Sequence, residues 1–296
     1  MTPKNPGLTG WSGLTFLALA WGSAFIFIAM AVETIAPSLV VFVRLALGAA
    51  MLTGWMVLQS KRFPPLSDQR WLWFAALGGF GNTLPFLLIA IGQIETPSGV
   101  AGILMGMTPL IIIVAAHFLL ANERLNAWKA AGFLTGFTGI VLLTGPSALT
   151  GIFSTSFLSQ MLILGATFCY ATNTILYQRA PQTDPIVFAA ASLLMAAVFA
   201  LPLAVYDLTF GLELSPSLNS MIGVLMLALL PTALAQMVYM GIARRVGASF
   251  VALINYTVPV VAALIGAFYG EPLTTLTWIA LAVILFGVFI ARRPVR

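Results

Sequence analysis

Charge is scarce in this chain. Only 7% of its 296 residues are Asp, Glu, Lys or Arg, against 60% hydrophobic residues, and the mean hydropathy is +1.04. So little polar surface cannot coat a soluble globule, so lipid must be the solvent for most of the molecule. Cysteine is nearly absent: Cys169 stands alone inside an apolar stretch, which excludes an intramolecular disulfide and a thiolate metal cluster and leaves a packing role. His117 is the only histidine. No H-x-x-x-H, G-x-S-x-G or P-loop occurs, and no apolar stretch holds an Asp/Glu pair. The groups that an intramembrane protease, a lipid transferase or an ATPase needs are therefore missing, and neither an enzyme nor a bound cofactor or metal is expected.

What is present is a succession of apolar stretches close to the about 20 residues that cross a bilayer as a helix. They run over 10–32, 37–58, 71–92, 98–119, 127–144, 158–178, 185–206, 218–242, 249–269 and 274–291. No period-two alternation marks them as barrel strands, so the expected fold class is an all-α integral membrane protein with ten transmembrane helices. The first stretch is long for a signal peptide, and its Trp21-Gly22-Ser23 has a counterpart in Tyr170-Ala171-Thr172, so it reads as a retained span.

The net charge of +5 is a topology signal and not a nucleic-acid footprint. Lys4, Lys61, Arg62, Arg70, Arg124, Lys129, Arg179, Arg244, Arg245, Arg292, Arg293 and Arg296 fall on alternate connections, whereas Glu33, Glu95, Asp207, Glu213 and Glu271 occupy the others, which have no Lys or Arg. Basic residues of short connections stay in the cytoplasm, so both termini are expected there, in a multi-pass protein of the inner (plasma) membrane.

The polar connection from Thr144 to Ser156 divides the chain into five stretches plus five, predicting a first unit over 1–148 and a second over 149–296. Five is odd, so the second unit enters the membrane from the opposite side. Thr108-Pro109 aligns with Val258-Pro259, and each proline precedes an apolar run ending near a glutamate, Glu123 or Glu271. Asn82 and Pro85 correspond to the stretch from Pro231-Thr232 to Gln236. Two inverted five-helix repeats around a central cavity explain this spacing, and inverted repeats suit alternating access, in which exchanging two conformations opens one site to either side in turn.

Trp21-Gly22-Ser23-Ala24, Arg44, Thr108-Pro109, Glu123-Arg124-Leu125, Asn255-Tyr256-Thr257-Val258-Pro259 and Gly270-Glu271-Pro272-Leu273, in that order, resemble the ten-helix EamA-type members of the drug/metabolite transporter (DMT) superfamily. Among these the pattern is most similar to the YddG-like amino-acid exporters. The resemblance covers the whole chain and implies an inner-membrane exporter; it does not name the substrate.

Arg44 is the only Lys or Arg inside a stretch, and burying such a charge costs about 2.5 to 3.5 kcal/mol. Two readings stand: a cavity-facing cation for a substrate carboxylate, or a structural arginine that reaches the interface or neighbouring carbonyls. The polar and aromatic residues near mid-membrane, Trp21, Ser23, Asn82, Met105, Met107, Tyr170, Asn173, Thr232, Gln236, Tyr239, Asn255 and Tyr256, are the other candidate substrate-binding residues, with helix packing as the alternative for each. Pro85, Pro109, Pro231 and Pro259 each remove a backbone donor inside a stretch and read as hinges or as fixed bends. His117 reads as structural or as a proton relay. The pairs Gly102/Gly106 and Gly132/Gly136 have the spacing of close helix packing, so a monomer is expected and a dimer is the lesser alternative.

All eight acidic residues map to connections or helix ends, which argues against a carrier of organic cations. A single buried cation argues against a carrier of nucleotide sugars. The expected partner is therefore a neutral or zwitterionic small-molecule substrate, with amino acids or similar amphipathic metabolites first. A nucleotide-sugar or drug carrier and a structural membrane subunit are the alternatives. Exchange or facilitated diffusion is favoured over proton drive, with Glu33, Glu95 or His117 as the residues left for coupling.

Overall fold

In the computed structural model the described residues are 7–119, 125–144, 155–210, 215–246, 250 and 253–291. Lys4, Glu123, Arg124, Glu213, Arg292, Arg293 and Arg296, and most of the connection 144–156, lie outside them. The regular secondary structure of the described residues is entirely helical. The elements are α1 (Gly7–Gly22), α2 (Ala24–Val32), α3 (Pro37–Leu58), α4 (Arg70–Gly78), α5 (Leu84–Gly92), α6 (Ser98–Met105), α7 (Thr108–Leu119) and α8 (Ala127–Thr144). They continue with α9 (Thr155–Arg179), α10 (Pro185–Phe210), α11 (Leu218–Leu227), α12 (Ala235–Val246), α13 (Ile254–Phe268) and α14 (Thr275–Ala291).

Two π-helical segments, Gly79–Thr83 and Ala228–Leu234, join α4 to α5 and α11 to α12. Among the described residues, six helical stretches are long and apolar enough to cross a membrane: Gly7–Val32, Pro37–Leu58, Arg70–Gly92, Ser98–Leu119, Pro185–Phe210 and Leu218–Ile242. Ala127–Leu143, Ile254–Phe268 and Thr275–Ala291 are shorter apolar helices. Lipid-facing side chains such as Phe168, Tyr206, Phe210, Phe268 and Phe286 are exposed, as a bilayer solvent permits.

Helix ends follow local chemistry. Asn126 Oδ1 accepts the Lys129 N–H at 2.8 Å, Asp184 Oδ1 accepts the Ile186 N–H at 3.0 Å, and Ser217 Oγ accepts the Ser220 N–H at 3.1 Å. Each satisfies an amide that has no intrahelical acceptor. Prolines open α3 and α10, where a missing N–H costs nothing.

Helices α1 and α2 pack against α11, α12 and α13, while α9 packs against α4, α5, α6 and α7. α3 packs along α10, α6 along α13, and α8 along α14. The α8–α14 crossing is very close: a Cβ on Gly132 would stand 2.5 Å from the Gly287 carbonyl oxygen, and one on Gly287 would stand 2.6 Å from that of Gly132. Only a hydrogen fits at either position, the same logic that places small residues at membrane helix contacts.

Candidate functional site

The two π segments build the centre of the site. Pro231 has no N–H, so the Leu227 carbonyl loses its α-helical donor and is served instead across the wider π turn by the Thr232 N–H. The Thr232 hydroxyl also donates to Leu227 O, at 2.7 Å, and the Trp21 indole Nε1–H donates to the Pro231 carbonyl at 3.0 Å. The other lone pair of Thr232 Oγ1 accepts Arg44 Nε–H at 2.8 Å. Gly48, one turn below Arg44 on α3, makes this approach possible, since a Cβ there would lie 2.7 Å from Thr232 Cγ2. In the other π segment, Thr83 donates to Ala196 O on α10 at 2.9 Å.

Arg44 is 5% exposed, and its guanidinium carbon lies 3.7 Å from the centroid of the Phe86 ring. A cation over an aromatic face is attracted by the ring quadrupole. Tyr170 of α9 is near enough to interact with it electrostatically. The ion pairs among the described residues are Lys61–Asp184 and Arg70–Asp68, so no described carboxylate neutralises Arg44. Its Nε is held by Thr232 and its face by Phe86, which leaves the terminal amino groups of the guanidinium without a described protein acceptor.

Of the candidates, Trp21, Arg44, Tyr170, Thr232 and Tyr239 form a connected group. The Trp21 and Tyr239 rings are 5.8 Å apart, Trp21 binds the backbone of the segment that holds Thr232, and Thr232 binds Arg44. Asn173 sits against Gly81, where a Cβ would stand 2.5 Å from Asn173 Oδ1, and Gly81 precedes Asn82. Asn82, Asn173, Gln236 and Asn255 are half-buried, and none has a side-chain hydrogen bond among the described residues. Amides in such a setting need polar partners, and a solute supplies them.

Other candidates are directed elsewhere. Met107 is 2% exposed with its sulfur against Gly136 of α8, and the Tyr256 hydroxyl donates to Val288 O of α14 at 3.3 Å. Both belong to helix contacts. Met105 is half-buried at the end of α6, its carbonyl accepting from Thr108, and the Ser23 hydroxyl donates to Ala20 O within its own helix. Pro85 begins α5 directly after the first π segment and Pro231 lies within the second. Pro109 follows the break between α6 and α7, whereas Pro259 sits inside an unbroken helix. His117 Nδ1 accepts the Leu125 N–H at 3.1 Å, a bond that links the end of α7 to the residues before α8. Sequence reasoning missed Phe86 and Thr83, because an apolar ring and a hydroxyl in a helix give no local sign of the partner they will meet.

The EamA-like transporter family matches the chain twice, over residues 9–145 and 157–293. The uncharacterized inner membrane transporter YedA of Escherichia coli K12 is 29% identical over 283 residues, covering 92% of this chain and 87% of its own. An uncharacterized transporter of Archaeoglobus fulgidus is 22% identical, covering 96% and 98%, and the uncharacterized transporter YoaV of Bacillus subtilis is 24% identical, covering 86% of each. One solved crystal structure shares the fold with a TM-score of 0.65 at 20% identity, covering 98% of both chains. The chain belongs to the EamA-like transporter family of the DMT superfamily and is a multi-pass membrane transporter, not an enzyme.

Proposed function

We propose that this protein exports neutral amino acids, aromatic ones included, or similar amphipathic carboxylates by alternating access between two inverted five-helix units, 1–148 and 149–296. The observation that carries the substrate reading is the buried Arg44 guanidinium with no described carboxylate beside it. A buried cation without a counter-ion is costly, and a substrate carboxylate relieves that cost through charge-assisted hydrogen bonds to the free amino groups. Trp21, Tyr170, Tyr239 and Phe86 supply aromatic faces for an apolar side chain, and the amides of Asn82, Asn173, Gln236 and Asn255 supply polar contacts for an amino group.

Ten crossings in two inverted units are supported by the twofold family match and by the packing pattern. Advancing each helix by five positions exchanges the contacts of the first helix with the eighth and ninth for those of the sixth with the third and fourth. The second–seventh, fourth–ninth and fifth–tenth contacts map onto themselves. The π segments fall at the equivalent places in the third and eighth helices and are the hinges of this reading, with Pro85 and Pro231 as the residues that prevent regular α-helix there. The charge bias of the connections favours cytoplasmic termini in the inner membrane.

Purified protein in liposomes, offered a labelled panel of aromatic and aliphatic amino acids, nucleotide sugars and cationic dyes, tests this reading. Saturable flux of amino acids is the expected result. Flux of a nucleotide sugar with none for any amino acid overturns it.

A further inference from the structure

The end of the bundle carrying the acidic connections has a polar-lined cavity, of about 470 Å³, between α2, the α5–α6 turn and the turn after α13. Its wall includes Gln93, Thr96 and Ser98, with Glu33, Glu95 and Glu271 around it. The local sequence explains its shape. α13 ends in a Schellman turn: Gly270 has φ +80°, the Glu271 N–H bonds Gly266 O at 3.0 Å, and the Gly270 N–H bonds Ala267 O at 3.1 Å. That turn aims Glu271 at the start of α6, where its carboxylate oxygens accept the Ser98 and Gly99 N–H groups at 2.7 and 2.8 Å.

Three side-chain oxygens of the lining residues have no hydrogen-bond partner and are enclosed behind the cavity's surface: Gln93 Oε1, Thr96 Oγ1 and Ser98 Oγ. The residues are 4%, 3% and 1% exposed. The orientation of Gln93 follows from its neighbour, since Nε2 donates to Phe25 O at 2.8 Å, and the remaining oxygen is an acceptor only. Buried polar atoms are costly to leave unpaired, so three within one short turn call for an occupant. Its charge is indicated by the surroundings: three glutamates border the cavity, and the connections on this face have no Lys or Arg. Among the described residues no three acidic, histidine or cysteine side chains gather as a metal cluster, which disfavours a divalent ion with its several carboxylate ligands.

We propose that the enclosed wall of this cavity binds a bare, sodium-sized monovalent cation through Gln93 Oε1, Thr96 Oγ1 and Ser98 Oγ, with the Glu271 carboxylate, which keeps further lone pairs, as the balancing charge. Because Glu271 and Ser98 lie in opposite units, bound sodium fastens the turn after α13 to the start of α6 and stabilises the closed form of this face. The site rests on the transport reading only for its outward orientation; binding itself does not depend on it.

The experiment uses full-length protein in detergent, with radioactive sodium binding and thermal unfolding measured in sodium, lithium, potassium or choline chloride at equal ionic strength. Saturable sodium binding is expected, with a higher unfolding midpoint in sodium than in choline. Thr96→Val and Ser98→Ala should each weaken sodium binding about tenfold or more. Neither hydroxyl has a protein partner to lose, so both variants should fold, and in choline they should be at least as stable as the parent. Absence of saturable binding, equal midpoints in sodium and choline, or unchanged affinity in both variants overturns the site and leaves ordered water as the occupant. Amino-acid flux measured in both sodium and choline media separates the two claims: flux without sodium binding defeats the site alone, and sodium binding without flux in either medium defeats the transport reading alone.

Discussion

Arg44 and Thr232, 188 residues apart, are joined by a 2.8 Å hydrogen bond that crosses from the second helical stretch to the π segment of the eighth. The threonine hydroxyl does two things at once, donating a further hydrogen bond to Leu227 O within the π segment and fixing the Nε edge of the arginine. The guanidinium is thereby presented with its terminal amino groups free.

Arg44→Gln should reduce the transport of carboxylate substrates about tenfold or more relative to their amides, the worth of about 1.5 to 3 kcal/mol for hydrogen bonds to a charged group. Paired flux measurements on an amino acid and its amide check this. Equal losses for both would reduce Arg44 to a structural role.

Thr232→Val keeps the volume but strands Arg44 Nε, costing about 1 to 3 kcal/mol of stability for the buried group left unpaired. Thr232→Ser should restore most of it. Thermal unfolding of the three proteins gives the comparison, and a Val variant as stable as the Ser variant would refute the relay.

Gly132→Leu should destabilise the bundle by about 1 to 3 kcal/mol or more, because its side chain must enter the space held by Gly287 and Ala291. Gly54 has open space around its missing Cβ, so Gly54→Ala should be neutral or add up to about 1 kcal/mol. Unfolding midpoints that move alike in the two variants would contradict the close α8–α14 crossing.

In a Cys169→Ala background, a cysteine replacing Pro272 should react with an impermeant thiol reagent from outside intact cells. One replacing Ser67 should react only after the membrane is opened. Both positions are exposed, so accessibility in the folded protein does not limit either. The reverse pattern would invert the proposed topology.

The helical stretches were legible in the sequence because long apolar runs with internally satisfied backbones leave no other structure in lipid; the caps at Asn126, Asp184 and Ser217 came only with the structure. Arg44 was legible as an unusual residue, being the only cation in an apolar stretch. Its choice between a carboxylate site and a structural role was not, since that depends on which neighbour faces it. Met107 and Tyr256 show the same limit from the other side. Their residue types and depths fit a cavity, yet helix rotation turns one onto Gly136 and the other onto Val288.

By itself, then, the sequence determined that this is a helical membrane protein and where its apolar stretches lie along the chain, because hydropathy acts locally. Tertiary structure alone decided that Pro231 and Thr232 sit in a π segment, that Thr232 meets Arg44, and that Glu271 seats on Ser98 and Gly99. Those contacts depend on how closely and at what rotation helices pack, which steric fit at residues such as Gly48, Gly132 and Gly287 sets only when both partners are present.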